Sequence, residues 1–285
     1  MKVMWIGHGG LLFVSGKSKI LIDPYLSNSL RTQNKLLKRK KGIKGKLFKI
    51  KPDVIILTSS HPDRTDFKTI KKFESKRTST YIPTILACES AFKIASEDWK
   101  LKKANNIMFE KGLEWTLGDM TIAAVGARTD DRSAFGVIIT DNDDGKKYYV
   151  ASNTLYSEEL ISELPNDLYA AFIPISGTFG SMNIIDAARF SKKLNAQYTV
   201  PVQYGMFDKL KAEQFIVGGR VIPKIYKIID FEDGSNETSL DFHYNERLIS
   251  KKKQKVKYES DIDDINTVTI DVPVSPISLD TTRHD

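Results

Sequence analysis

The sequence predicts an α/β protein, a sandwich of two mixed β-sheets with helices on its outer faces. Three observations carry this expectation. The first 25 residues alternate as a strand meander, Val54-Ile55-Ile56-Leu57 is a short continuous apolar run suited to a strand buried on both faces, and later strands alternate with helices.

The meander is read from Val3, Trp5 and Gly7, then Leu11 to Val14, then Ile20 to Ile22 closing on Asp23-Pro24. Gly9-Gly10 and Ser15-Gly16-Lys17-Ser18 supply its turns. After Leu57 comes a polar loop, 58–66, and then a helix with Phe67, Ile70 and Phe73 on one face. Further helices are expected at 88–97, 157–164, 183–194 and 208–215, and strands at 106–109, 121–125, 135–140, 147–151, 169–175 and 198–202. Beyond Asp233 the texture changes to a turn-like Gly234-Ser235-Asn236-Glu237, a basic run at 251–257, an acidic run at 259–264 and an extended end. The expected organisation is a domain over 1–233 and a C-terminal extension or tail over 234–285.

With 285 residues, 41% of them hydrophobic, the chain can bury a sizeable core, which excludes a disordered or fibrous protein. No apolar run approaches the roughly 18 residues needed to span a bilayer, and the opening MKVMWIGHGG lacks the regions of a signal peptide. A soluble cytoplasmic protein with no transmembrane segment is expected. The single cysteine, Cys88, excludes a disulfide framework and a cysteine-built zinc site, and its neighbours Ala87, Ala91 and Phe92 place it in the core. The histidines are His8, His61, His243 and His284.

The formal charge of +7 is local. Ten basic residues, from Arg31 to Lys51, stand between Asp23 and Asp53 with no acidic residue among them, and without them the chain is slightly acidic. This basic insertion, 31–51, reads either as a solvated surface loop or as a weak contact for a polyanion or an anionic membrane.

The order of short motifs carries a resemblance. Trp5-Ile6-Gly7-His8-Gly9-Gly10, Asp23-Pro24-Tyr25-Leu26-Ser27 and Thr58-Ser59-Ser60-His61-Pro62-Asp63-Arg64 open the series, and Gly118-Asp119, Ser152-Asn153-Thr154, Pro174-Ile175-Ser176-Gly177, Met182-Asn183 and Pro201-Val202-Gln203-Tyr204 continue it. The ordered set resembles the metallo-β-lactamase superfamily, and within it the L-ascorbate-6-phosphate lactonase group, over residues 1 to about 231. The resemblance implies a four-layer αββα sandwich with two metal ions, zinc or manganese, at the strand ends. Such a pair holds and acidifies a water that attacks an ester, lactone or phosphodiester. It also implies homo-oligomers.

In the family's T-H-x-H-x-D-H loop the matched positions here are Ser59, His61, Asp63 and Arg64, and the later ligand positions fall on Thr129, Asn153 and Gln203. The resemblance therefore keeps two of seven ligands, His61 and Asp63, which belong to different metals. About three protein ligands make a stable catalytic site, and Arg64 adds a permanent cation, so neither metal and no other cofactor is expected. Asn153 retains the shape of an aspartate, and His8 resembles a residue supporting the pocket floor. Ser59, His61 and Asp63 also have the residue types of a nucleophilic triad, although alternate positions on a loop do not ensure the relay.

Two functional readings follow. The first, favoured by the ligand count, is a non-hydrolytic binding, regulatory or assembly protein with no catalytic residues, and the alternative is a metal-dependent hydrolase of lactonase or phosphodiesterase type with an unorthodox site. For the first reading a small phosphorylated ligand is expected, held by Arg64, Arg128, His61, Gly177, Ser181 and Asn183 around the vacated centre and the start of the helix near Asn183. In a second version Arg64 pairs with Asp63 and closes the site.

Overall fold

The computed structural model describes residues 1–232 apart from 76, 77, 79, 80 and 103. The boundary expected near residue 234, the extension 234–285, and His243 and His284 lie outside the described residues. Strands β1 (Lys2–Gly7), β2 (Gly10–Ser15) and β3 (Ser18–Ile22) form the antiparallel meander that the alternation predicts, and β4 (Val54–Leu57), β5 (Thr84–Ala87) and β6 (Asn105–Met108) extend it in parallel. The second sheet is antiparallel through β7 (Glu114–Leu117), β8 (Met120–Gly126), β9 (Phe135–Asp141) and β10 (Lys147–Val150), then parallel through β11 (Leu168–Pro174) and β12 (Tyr198–Val202). Each sheet has six strands in chain order or its reverse.

Parallel neighbours need crossovers, and these carry the helices. Between β3 and β4 lies the single turn α1 (Leu30–Gln33); α2 (Phe67–Glu74) links β4 to β5, and α3 (Glu89–Lys93), prolonged by the π-helical Ile94–Asp98, links β5 to β6. Helices α4 (Glu158–Glu163) and α5 (Ile184–Leu194) do the same for β10, β11 and β12. The burial patterns follow the sequence. Strand β4 is buried at every residue and β8 at every second one, because the first is covered on both faces and the second on one. The inner faces meet at Phe13 of β2, whose ring lies 6.0 Å from that of Tyr148 on β10 and 5.8 Å from that of Phe172 on β11.

Two expectations change. No helix forms over 208–215 beyond the 3-10 turn Ala212–Gln214, because Asp208 Oδ1 accepts from the N–H groups of Gly205 and Leu210 and holds the backbone in a turn. Strands β5 and β7, only four residues each, were not expected. The basic insertion is fastened to the domain. Arg39, 8% exposed, donates to the carbonyls of Tyr25 and Lys41 and to Tyr226 Oη, while Leu47 enters the core. Among the described residues no helix is long and apolar enough to cross a membrane.

Candidate active site at the strand ends

Strand ends from both sheets deliver the site. His8 follows β1, Asp23 follows β3, the loop from Thr58 to Arg64 follows β4, Ser152 and Asn153 follow β10, and Gln203 follows β12. Four of these, His8, Asp23, Ser152 and Gln203, have φ of 53°, 43°, 56° and 59°. That left-handed backbone costs a non-glycine residue about 1–2 kcal/mol. Its recurrence at one end of both sheets marks the place where the fold stores strain, as functional sites do.

Arg64 is the centre, 1% exposed. Its Nε and Nη2 donate to Asn153 Oδ1 at 2.9 and 2.5 Å, and Nη2 donates also to Gln203 Oε1 at 3.0 Å. Ion pairs to Asp63 at 3.4 Å and Asp23 at 3.5 Å complete its surroundings. The guanidinium lies against the backbone of Gly9, where a Cβ atom would stand 1.4 Å from Nη1, so with Arg64 in this place the position takes glycine.

The two carboxylates are held differently. Asp23 accepts from Thr58 N at 2.9 Å, Thr58 Oγ1 at 2.6 Å and Ser152 Oγ at 3.2 Å, and the Thr58 and Ser152 hydroxyls touch each other. Burial nevertheless pushes its pKa above the usual carboxylate range, against Arg64 and Thr58. Burial acts the same way on Asp63, but the hydrogen bond from His8 and the Arg64 charge outweigh it and leave Asp63 below that range. Burial also holds His8 below the ordinary imidazole value in spite of Asp63. A neutral His8 thus donates Nε2–H to an ionised Asp63 at 2.8 Å.

One tautomer follows from this network. Because Arg64 occupies Asn153 Oδ1, the amide nitrogen of Asn153 faces His61 Nδ1 at 2.9 Å and Asp63 Oδ1 at 3.4 Å. Neutral His61 then accepts at Nδ1, carries its proton on Nε2 and directs it to Asp130 Oδ1 at 2.8 Å. His61 is 16% exposed and Asp130 79%, so this pair is where the buried network reaches solvent.

The structure gathers Ser59, His61, Asp63, Arg64, Thr129, Asn153 and Gln203 about this centre. Ser59 is fully buried and its Oγ has no hydrogen-bond partner, while Asp63 meets His8, so no Ser59, His61 and Asp63 relay exists. Thr129 donates to Asp130, and a Cβ on Gly180 would lie 2.4 Å from Thr129 Oγ1, 3.1 Å from His61 Cε1 and 3.2 Å from Asp130 Oδ1, so the Gly180 backbone packs against one side of this edge and leaves Asp130 exposed on the other. The residues expected to hold a phosphorylated ligand do not converge. Arg64 is spent on internal acceptors, and Arg128 turns outward to Glu159 at 3.0 Å. Asn183 caps α5 by accepting from the N–H groups of Ile185 and Asp186, and Ser181 donates to Thr178 O beside Gly177 in the same loop. His61 is the member of that set left at the exposed edge.

The sequence reading missed Asp23, Thr58, Ser152, Asp130 and Asp131. Asp23 had a signal in its place at the close of β3 before Pro24, and Asp130 had one in its adjacency to Thr129. Asp131 accepts from Ser60 N and Oγ, Ser90 Oγ, and Ser133 N and Oγ, and these bonds outweigh burial to bring its pKa down to about 2. It fastens the Ser59 to Arg64 loop from outside.

Comparison with known proteins places this geometry. Residues 18–204 match the beta-lactamase superfamily domain. A metal-dependent hydrolase of Thermoplasma volcanium is 28% identical over 220 residues, covering 75% of this chain and 87% of that protein. One of Pyrobaculum islandicum is 29% identical over 220 residues, covering 75% and 88%. Among solved structures, the metallo-beta-lactamase fold protein of Bacillus subtilis superposes with a TM-score of 0.58 at 20% identity, covering 78% of this chain and 95% of its own. A metallo hydrolase of Ignicoccus hospitalis does so with a TM-score of 0.56 at 22% identity, covering 75% and 88%. These two share the fold. The sequence relatives are named metal-dependent hydrolases, which overturns the expectation of a non-hydrolytic binding, regulatory or assembly protein. The two-sheet sandwich and the match over more than half the residues lead to one conclusion: the chain belongs to the beta-lactamase superfamily.

Proposed function

We propose that the chain is a hydrolase of this superfamily that opens an ester, lactone or phosphodiester at the edge formed by His61 and Asp130. The observation that carries the reading is their 2.8 Å contact at a point where the network around Arg64 reaches solvent. The finer likeness to the L-ascorbate-6-phosphate lactonase group adds a phosphorylated sugar lactone to the substrates worth trying.

The residues present do not fit the family's pair of metal ions. Among the described residues no group of three or more His, Cys, Asp and Glu side chains is placed to hold an ion. Asp63 is already engaged by His8, Asn153, Gln203 and Arg64, and the guanidinium supplies a fixed positive charge among the same side chains.

In the proposed reaction the substrate oxygen that gains charge replaces Asp130 as the acceptor of His61 Nε2–H. The hydrogen bond from Thr129, and the neighbouring His61, outweigh slight burial to keep the Asp130 pKa low and the group a carboxylate. Asp130 takes a proton from water as the water oxygen bonds to the acyl carbon or phosphorus. That proton then passes to the leaving oxygen as its bond breaks, which restores the carboxylate. Asn153 and, behind it, Arg64 keep His61 in the donating tautomer.

The test is hydrolysis of a nitrophenyl ester, a sugar lactone phosphate and a bis-nitrophenyl phosphodiester, with and without chelator or added zinc. Turnover indifferent to chelator is expected, with kcat lowered about 10²–10⁴-fold in His61→Ala and in Asp130→Asn. No turnover of any of the three, or equal turnover in both variants and the parent protein, refutes it.

A further inference from the structure

We propose that the face built from the 31–51 segment and helix α2 docks on an anionic phospholipid membrane. Of the ten basic residues in that segment, Arg39 alone is buried, where it roots the segment, and the other nine are exposed. Phe48 joins the segment to α2. Its ring lies 5.6 Å from that of Phe73 and 4.4 Å from Lys72 Nζ, so the exposed Lys68, Lys71 and Lys72 continue the same cationic field. Lys71 meets a carboxylate, Glu74 at 2.9 Å, and the segment between Asp23 and Asp53 contains no acidic residue.

Charge alone suits any polyanion, and the apolar groups decide between them. Two recesses open on this face and meet at Asn28. One, of about 570 Å³, is floored by Leu26, Ile43 and Phe67 beneath the α2 lysines. The other, of about 750 Å³, is lined by Arg31, Lys35 and Lys38. Leu36 stands between these last two lysines in sequence and is 81% exposed; Ile43 is 36% and Phe67 39% exposed. Cations interleaved with bare aliphatic side chains match the boundary between anionic headgroups and acyl chains. Single-stranded nucleic acid instead favours free aromatic faces, and Phe67 is already packed on Trp99 at 5.0 Å, while duplex binding rests on phosphate contacts and gives the bare Leu36 no role.

The experiment is sedimentation of the full-length protein with vesicles of phosphatidylcholine alone or mixed with phosphatidylglycerol, at low and high salt. Binding to the mixed vesicles only, lost at high salt, is expected. Lys35→Ala and Lys38→Ala should each lower the partition constant about fivefold. Leu36→Ser should lower it about tenfold or more, a loss that electrostatics does not cause. These side chains are exposed, so unchanged circular dichroism and melting confirm that the variants fold. Equal binding to both vesicle types, or unaltered binding in the three variants, overturns the proposal. Duplex DNA bound as tightly as the mixed vesicles, with no effect of Leu36→Ser, overturns it in favour of nucleic acid.

Discussion

Replacing Arg64 with alanine tests the central feature of the site. The change deletes three hydrogen bonds to Asn153 and Gln203 and leaves Asp23 and Asp63, both 0% exposed, without the cation they share. Breaking a buried ion pair from one side costs about 3–5 kcal/mol, because a carboxylate is stranded. In a domain of this size that corresponds to a fall of roughly 6–20 °C in Tm. The charge part has a pH signature. In the parent protein the Asp63 pKa is lowered, so its stabilisation is present above the unfolded value near 3.9 and is lost as pH falls through the folded value. Without Arg64 the folded pKa of Asp63 and that of Asp23, already raised by burial, both climb, so the deficit grows from the parent's folded values up to the variant's higher ones. Urea unfolding at pH 5 and pH 8 should therefore show a larger loss at pH 8, and adding Asp63→Asn should recover part of it. A cost below about 1 kcal/mol at pH 8, or a deficit equal at both pH values, would refute the argument.

Other outcomes follow from the same geometry. Gly9→Ala drives a methyl into Arg64 Nη1 and should destabilise by about 3 kcal/mol or more, unless combined with Arg64→Ala, which chemical denaturation of single and double variants measures. Asp131→Asn should flatten the acid limb of the stability curve, since a pKa of about 2 gives stabilisation present above the unfolded value near 3.9 and lost as pH falls toward 2. The His8 ring signal in proton NMR should stay in its neutral position at pH 6, because burial lowers its pKa. Its contribution to stability is present above about 6.5 and declines as pH falls below that.

The legible part of this protein was the part governed by repetition. Alternation in β1 to β3, the unbroken Val54 to Leu57 and the helix expected over 183–194 each state a local rule that the environment then obeys. Strands β5 and β7 were illegible because four residues are too few to establish a period. The 208–215 segment has helix-compatible composition, and only the two bonds to Asp208 Oδ1 reveal the turn. The candidate site divides in the same way. Its loop residues could be located by their order along the chain, but Asp23 and Ser152 are 129 residues apart and share a hydrogen bond. No local pattern carries that information.

Arg64 shows what the sequence leaves open even where a position is found. A lone arginine in a polar loop serves equally well as a grip for phosphate or as an internal cation, and the choice depends on how many acceptors the surrounding strands offer it. Asn153 Oδ1, Gln203 Oε1, Asp63 and Asp23 take it inward, and Gly9 leaves the room. Once the guanidinium is held this way, the amide of Asn153 has one orientation and His61 one neutral tautomer, so a buried charge with no access to substrate sets the polarity of the one imidazole at the exposed edge. A site read as a set of ligands invites a count of what is missing. Read as a chain of donors and acceptors, it leads from a fixed cation to a proton on His61 Nε2 held by Asp130 at the exposed edge, which is where the proposed hydrolysis begins.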